Sequence, residues 1–159
     1  MEDARPATDG DIATVVELAD ALRAELRTQR GGPLWALREA APEPVEAMVR
    51  ELLARADALV AVGTIGDAVV GYGTVALETL RDGARLGVIG ELFVEADARA
   101  VGVGEAIAGQ LIAFCEDAGC VGIDATALPG HREAKNFFER NGFTARALTM
   151  HKRLDPGPG

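Results

Sequence analysis

Leu92-Phe93-Val94-Glu95-Ala96-Asp97-Ala98-Arg99-Ala100-Val101-Gly102-Val103-Gly104-Glu105 starts as an apolar strand and turns through Arg-x-x-Gly-x-Gly. It then enters a helix carrying Ile107, Leu111, Ile112 and Phe114. Successive backbone N–H groups at such a turn point the same way, and they meet the positive end of the helix macrodipole. A pyrophosphate can sit there without a dedicated basic pocket. Glycines at 102 and 104 remove the Cβ atoms that would hold phosphate oxygens off the backbone. Arg99 adds a fork of donors at the edge. The stretch therefore predicts a phosphate-bearing cofactor site at the centre of an α/β fold.

The two commonest phosphate loops do not fit. A dinucleotide fingerprint needs Gly-x-Gly-x-x-Gly, and the third glycine would fall at Ile107. A nucleotide-hydrolase loop needs Gly-Lys-Ser/Thr, but Gly104 is followed by Glu105-Ala106. The plain alternative is a glycine turn that only reverses the chain.

Outward from this stretch the chain alternates. A short strand at 3–7 precedes Asp9 and Asp11, which offer N-cap chemistry for a helix of 10–29. Its buried face is Ile12, Val15, Val16, Ala19, Leu22 and Leu26. Gly31-Gly32-Pro33 ends it, and 31–42 reads as a mobile loop holding Trp35. Pro44 suits the first turn of a second helix, with Val45, Met48, Val49, Leu52 and Leu53 as its apolar face. Hairpin strands follow at 58–64 and 68–77. After them come strand 85–94, helix 103–118, strand 120–126, helix 131–141 and strand 144–153. Residues 1–154 read as one layered α/β domain around a central sheet, and 155–159, ending Pro-Gly-Pro-Gly, as a disordered tail. Gly90 interrupts the strand 85–94, as an isolated glycine does at a bulge.

Composition sets limits. With 159 residues, 48% of them hydrophobic, the chain has enough material for a real core. A net charge of −9 argues against nucleic acid as a partner and is compatible with a cationic amine substrate. No run approaches the roughly 20 apolar residues of a membrane span. The start Met-Glu-Asp-Ala-Arg has no apolar signal region, so the expected location is cytoplasmic. Cys115 and Cys120 lack zinc spacing and read as reduced thiols, and no metal site is expected.

Arg-x-x-Gly-x-Gly after a strand ending Leu-Phe-Val resembles the acyl-CoA-binding signature of the GNAT N-acetyltransferase superfamily. Three further pieces stand in that family's order. Arg5-Pro6-Ala7-Thr8-Asp9-Gly10-Asp11 resembles its opening strand and helix start. Asn136-Phe137-Phe138-Glu139-Arg140-Asn141-Gly142-Phe143 resembles its late helix ending in Gly-Phe. Met150-His151-Lys152-Arg153-Leu154 resembles its closing strand. The resemblance implies a mixed, mostly antiparallel sheet with helices on both faces and a splayed fourth and fifth strand. It implies acetyl-CoA as co-substrate, a primary amine as acceptor and no membrane partner, and it leaves a homodimer open. The backbone of Phe93 and Val94 would pair with the pantetheine arm. Arg99, Ala100, Val101, Gly102, Val103, Gly104 and Glu105 would hold the pyrophosphate, with the acceptor beside Glu91.

A lysine-like amine has a pKa of about 10.4, so presenting it neutral at pH 7 costs roughly 4.6 kcal/mol. A base is therefore useful, and Glu91 is the candidate. A thiol-like leaving group has a pKa near 8.5, so expelling it as thiolate costs only about 2 kcal/mol. Many family members place a tyrosine four residues before the glycine of Gly-Phe as the acid. Here that position is Phe138, and the single tyrosine, Tyr72, stands on an early strand, expected to be remote. His131 occupies the position of the family's usual asparagine beside the pantetheine arm, and is a second candidate for binding or proton transfer. His151 reads as solvated. Two functions remain open: an acetyl-CoA-dependent N-acetyltransferase working by direct attack, or an acyl-CoA-binding or regulatory module on the same fold.

Overall fold

The computed structural model describes residues 1–128 and 131–155. Strand β1 (Glu2–Pro6) leads through a 3₁₀ turn (Asp9–Asp11) into α1 (Ile12–Arg27), followed by α2 (Gly32–Arg38) and α3 (Val45–Ala54). Strands β2 (Ala58–Ile65), β3 (Ala68–Thr79) and β4 (Arg85–Val94) come next. A second 3₁₀ turn (Ala96–Ala98), α4 (Val103–Asp117), β5 (Gly122–Ala125) and α5 (Arg132–Arg140) complete the order. The sheet runs β1-β2-β3-β4-β5, antiparallel throughout except for the parallel pair β4–β5.

Period-2 alternation sends β2 side chains to two cores. Val60 and Val62 join α1, α3, Trp35, Tyr72 and Phe93 on one face. Ala61 joins Val75, Ile89 and the α4 residues Val103, Ile107 and Leu111 on the other. The start of α1 is fixed by Asp11, whose carboxylate accepts from the Thr8 N–H at 2.8 Å and from Arg5 Nη1 at 2.7 Å. Arg5, with help from Thr8, holds the Asp11 carboxyl down at about 2. No helix of the described residues is long and apolar enough to cross a membrane.

Two expectations are corrected. Residues 32–38 are helix rather than mobile loop. Pro33 stands in the first turn, where its missing N–H is harmless, and Trp35 is only 8% exposed against α1. Residues 144–153 form no strand and stay exposed. They hold three cations (Arg146, Lys152, Arg153) and only two large apolar side chains, Leu148 and Met150. That is too little apolar surface to dock a strand, and a strand without a ladder partner leaves its N–H and C=O groups to water. Arg146 nonetheless pairs with Asp124 on β5. The tail expected over 155–159 lies, from residue 156 on, outside the described residues.

Candidate active site

Gly90 is the bulge residue. The β3–β4 register steps from Thr74↔Glu91 to Val75↔Ile89, leaving Gly90 without a partner. A Cβ on Gly90 would stand 2.9 Å from Thr74 Oγ1, and that hydroxyl accepts from the Glu91 N–H at 3.1 Å. The kink coincides with the end of the β4–β5 ladder, which runs only from Leu86↔Gly122 to Ile89↔Ala125. From Gly90 to Val94 one edge of β4 therefore faces a gap instead of a strand.

That gap widens into a cavity of about 350 Å³ between α1, β4, the start of α4 and α5. At its far end Gly102 caps α4 in the left-handed region (φ 94°), and Ala100 also takes a positive φ of 66°. Left-handed backbone strains any residue with a Cβ and is found where a site requires it. Ala106 N–H makes the helical bond to Gly102 O at 3.0 Å, so the N–H groups of the preceding turn have no helical acceptor. Of the expected cofactor residues, Phe93, Val94, Arg99, Ala100, Gly104, Glu105, His131 and Phe138 line this one cavity, together with Glu91. Val101 is half-exposed outside it, Gly102 faces Glu2, and Val103 is buried in the core under α4. Those three can serve the site only through their backbone.

The cavity's charges are already paired. Arg99 Nη2 donates to Glu25 of α1 at 2.9 and 3.2 Å, and Arg99 Nε to Val94 O at 2.8 Å. A longer contact of 3.5 Å reaches Glu133 of α5. Arg140 of α5 reaches back to Glu105 of α4 at 3.3 Å. Phe137 of α5 lies over Gly104, where an added Cβ would be 3.1 Å from its ring. Phe138 packs edge-on against Phe137 and Phe143 while also facing the cavity.

Glu91 stands in a buried trio. Arg23, 2% exposed, donates Nη1 and Nη2 to Glu91 Oε1 and Oε2 at 2.9 and 3.1 Å. Tyr72 O–H donates to the same Oε1 at 2.5 Å. The expectation that Tyr72 is remote is thus corrected: its register partner is Phe93, which sets it two residue pairs along from Glu91 and on the same face of the sheet. Burial, with the Glu91 carboxylate beside it, pushes the Tyr72 phenol well above its ordinary pKa. A carboxylate offers about four lone-pair sites, so one remains, on Oε2. Sequence reasoning missed Arg23; its place among the apolar positions of α1, one turn after Ala19 and next to Leu22, is the signal that could have pointed to a buried partner.

A larger hollow of about 570 Å³ lies between α1 and the start of α3. It is crossed by its own ion pair, Arg27 to Glu43 at 3.7 Å, and touches neither the open edge of β4 nor α4. None of the expected site residues lines this hollow.

The acetyltransferase (GNAT) family model matches residues 19–143. Among solved structures, glucosamine-6-phosphate N-acetyltransferase from Arabidopsis thaliana is similar at 20% identity, covering 98% of this chain and 99% of that one, with a TM-score of 0.71. Ribosomal-protein-alanine N-acetyltransferase from Brucella melitensis biovar Abortus 2308 is similar at 15% identity, covering 98% and 100%, TM-score 0.71. An aminoglycoside acetyltransferase from an uncultured soil metagenomic sample, in complex with trehalose, is similar at 16%, covering 97% and 95%, TM-score 0.71. A comparison with curated proteins finds no match. The family match spans well over half of the sequence, and the chain belongs to the GNAT acetyltransferase family.

Proposed function

From that membership we propose that the protein transfers an acetyl group from acetyl-CoA to a primary amine by direct attack. The observation that carries the reading is the continuity of one cavity from the unpaired edge of β4 to the N-terminus of α4. An extended pantetheine arm needs the first and a pyrophosphate the second. Gly104, Ala100 and Arg99 border the phosphate end, and Phe93 and Val94 offer backbone groups along the arm. His131, at the N-cap of α5, faces the arm from the other wall.

When bound, acetyl-CoA supplies a thioester whose carbonyl carbon takes the amine nitrogen as the C–S bond breaks. The free lone pair on Glu91 Oε2 accepts a hydrogen bond from the ammonium, or from the water that takes its proton. Because Arg23 and Tyr72 hold this carboxylate rigidly, its role is to orient the amine as well as to relay a proton. No hydroxyl stands at Phe138 to protonate the sulfur, and at a cost of only about 2 kcal/mol none is required. The proton released from the amine goes to solvent, where the departing thiolate recovers one.

Calorimetry with CoA, together with thiol release from acetyl-CoA in the presence of primary amines, tests this. Gly104→Val is expected to weaken CoA binding about 10-fold or more by placing a side chain on the phosphate path. Because that side chain also meets Phe137, the double variant with Phe137→Ala is the control. Affinity still lost in the double variant supports a phosphate at Gly104. Unchanged CoA affinity in Gly104→Val overturns the placement.

A further inference from the structure

The acceptor end of the cavity has a composition of its own, and resting on the acetyltransfer reading it names a substrate class. Once the anion-binding loop and α5 are set aside, the wall beside Glu91 is mostly apolar: Leu22 and Leu26 of α1, Trp35 of α2, and the segment 125–128 with Ala125, Ala127 and Leu128, its polar members being Glu25 and Thr126. Trp35 belongs to this end because the Arg23 guanidinium, which pairs with Glu91, lies 5.9 Å from the centre of its ring. The wall closes on itself there: a Cβ on Gly31, just before α2, would stand 3.8 Å from Leu128 Cδ2.

The charges at this end are spoken for. Glu91 is matched by Arg23 and Glu25 by Arg99. A second ammonium or a phosphate on the acceptor would lose its water here and find no free counter-charge, which is costly in a buried site. The cation already over Trp35 also repels another cation at the same ring. Neutral apolar surface meets no such penalty and gains by leaving water.

We propose that the acceptor is a monoamine with an otherwise uncharged aromatic or branched-aliphatic body, which packs against Trp35, Leu26 and Leu128 while its amine reaches Glu91 Oε2. Trp35 is the specificity-determining residue.

Trp35 is the chain's single tryptophan, so its emission reports on this wall whether or not turnover occurs. With the full chain and saturating CoA, phenethylamine is expected to change that emission and to bind about 10-fold or more tighter than spermidine or glucosamine 6-phosphate. In thiol-release assays the same order is expected in kcat/KM. Trp35→Leu should raise KM for phenethylamine several-fold with kcat little changed, and Trp35→Phe should restore most of the loss. Melting curves of both variants show that they fold. Equal or tighter binding of spermidine or of the sugar phosphate overturns the proposal. So does an emission that phenethylamine leaves unchanged. If emission responds to phenethylamine but no amine releases thiol, the acceptor site stands and the acetyltransfer reading falls.

Discussion

The two edges of β4 differ in how they are held. Toward β3 it is paired from Arg85 to Val94, and residues along that seam are buried: Tyr72, Thr74, Val75, Ile89, Glu91 and Phe93. Toward β5 it is paired only from Leu86 to Ile89. Beyond that edge α5 buries no residue, and residues 144–155 are exposed. The first side is held by area removed from water and by one buried ion pair. The second is pinned by surface pairs such as Arg140–Glu105 and Arg99–Glu133, each worth about 0–1 kcal/mol. Local opening is cheap where burial is thin. In the proposed reading, a cofactor arm entering beside β4 would have a rigid wall on one side and a yielding one on the other.

The largest expected effect lies on the rigid side. Glu91→Gln removes the anion opposite Arg23 and leaves a buried guanidinium uncompensated, although its Nε already lacks a partner among the described residues. Breaking a buried pair in this way costs about 3–5 kcal/mol. For a chain of this size that is a fall in melting temperature of roughly 10 °C, measurable by scanning calorimetry. Replacing Arg23, Glu91 and Tyr72 together by Met, Leu and Phe removes both charges and the phenol, and should recover most of the loss. A Glu91→Gln variant as stable as the parent would erase the contrast between the two edges. The measurement also bears on mechanism, since any rate loss in Glu91→Gln must be read on the folded fraction.

A smaller effect is expected where β1 meets α1. The Asp11 carboxyl is lowered in the folded chain, so its contribution is present above the unfolded value of about 3.9 and is lost as pH falls through about 2. Asp11→Asn should therefore cost roughly 1–2 kcal/mol at pH 7, with the gap between variant and parent closing between pH 4 and pH 2. Urea midpoints measured across that range check the sign. A gap that stays constant with pH would mean that the charge on Asp11, which both Arg5 and Thr8 meet, does not hold the turn.

Much of the rigid half was legible in the sequence because its signals are local. Residues 85–94 read as an apolar strand, Gly90 interrupts them, and Val103 onward keeps helical spacing; the structure follows these closely. What was not legible depends on contacts distant in the chain. Arg23 and Glu91 are separated by 68 residues, and Tyr72 meets Glu91 only because the β3–β4 register brings them together. Trp35 was read as loop because Gly31-Gly32-Pro33 resembles a break, while its burial against α1 makes 32–38 helical. Residues 144–153 erred in the opposite direction. Met150-His151-Lys152-Arg153-Leu154 resembled a closing strand, but a strand needs a partner edge as well as a resemblance.

The smallest effect is expected from that last segment, and its smallness is the point of the test. Leu148 and Met150 are 82% and 87% exposed, so replacing both by Ser removes little buried apolar area. Surface substitutions of this kind usually fall within about 0.5 kcal/mol, which here is a shift of no more than roughly 2 °C. If 144–153 were instead a strand docked on the free edge of β5, the same changes would strip its apolar face. The loss would then approach the several kcal/mol typical of core positions. Hydrogen exchange separates the two outcomes independently. Amides of 144–153 that exchange as fast as an unfolded chain fit an exposed segment, and protected amides, with a melting temperature lowered in the Leu148→Ser/Met150→Ser variant, would show that both edges of β4 end in packed sheet.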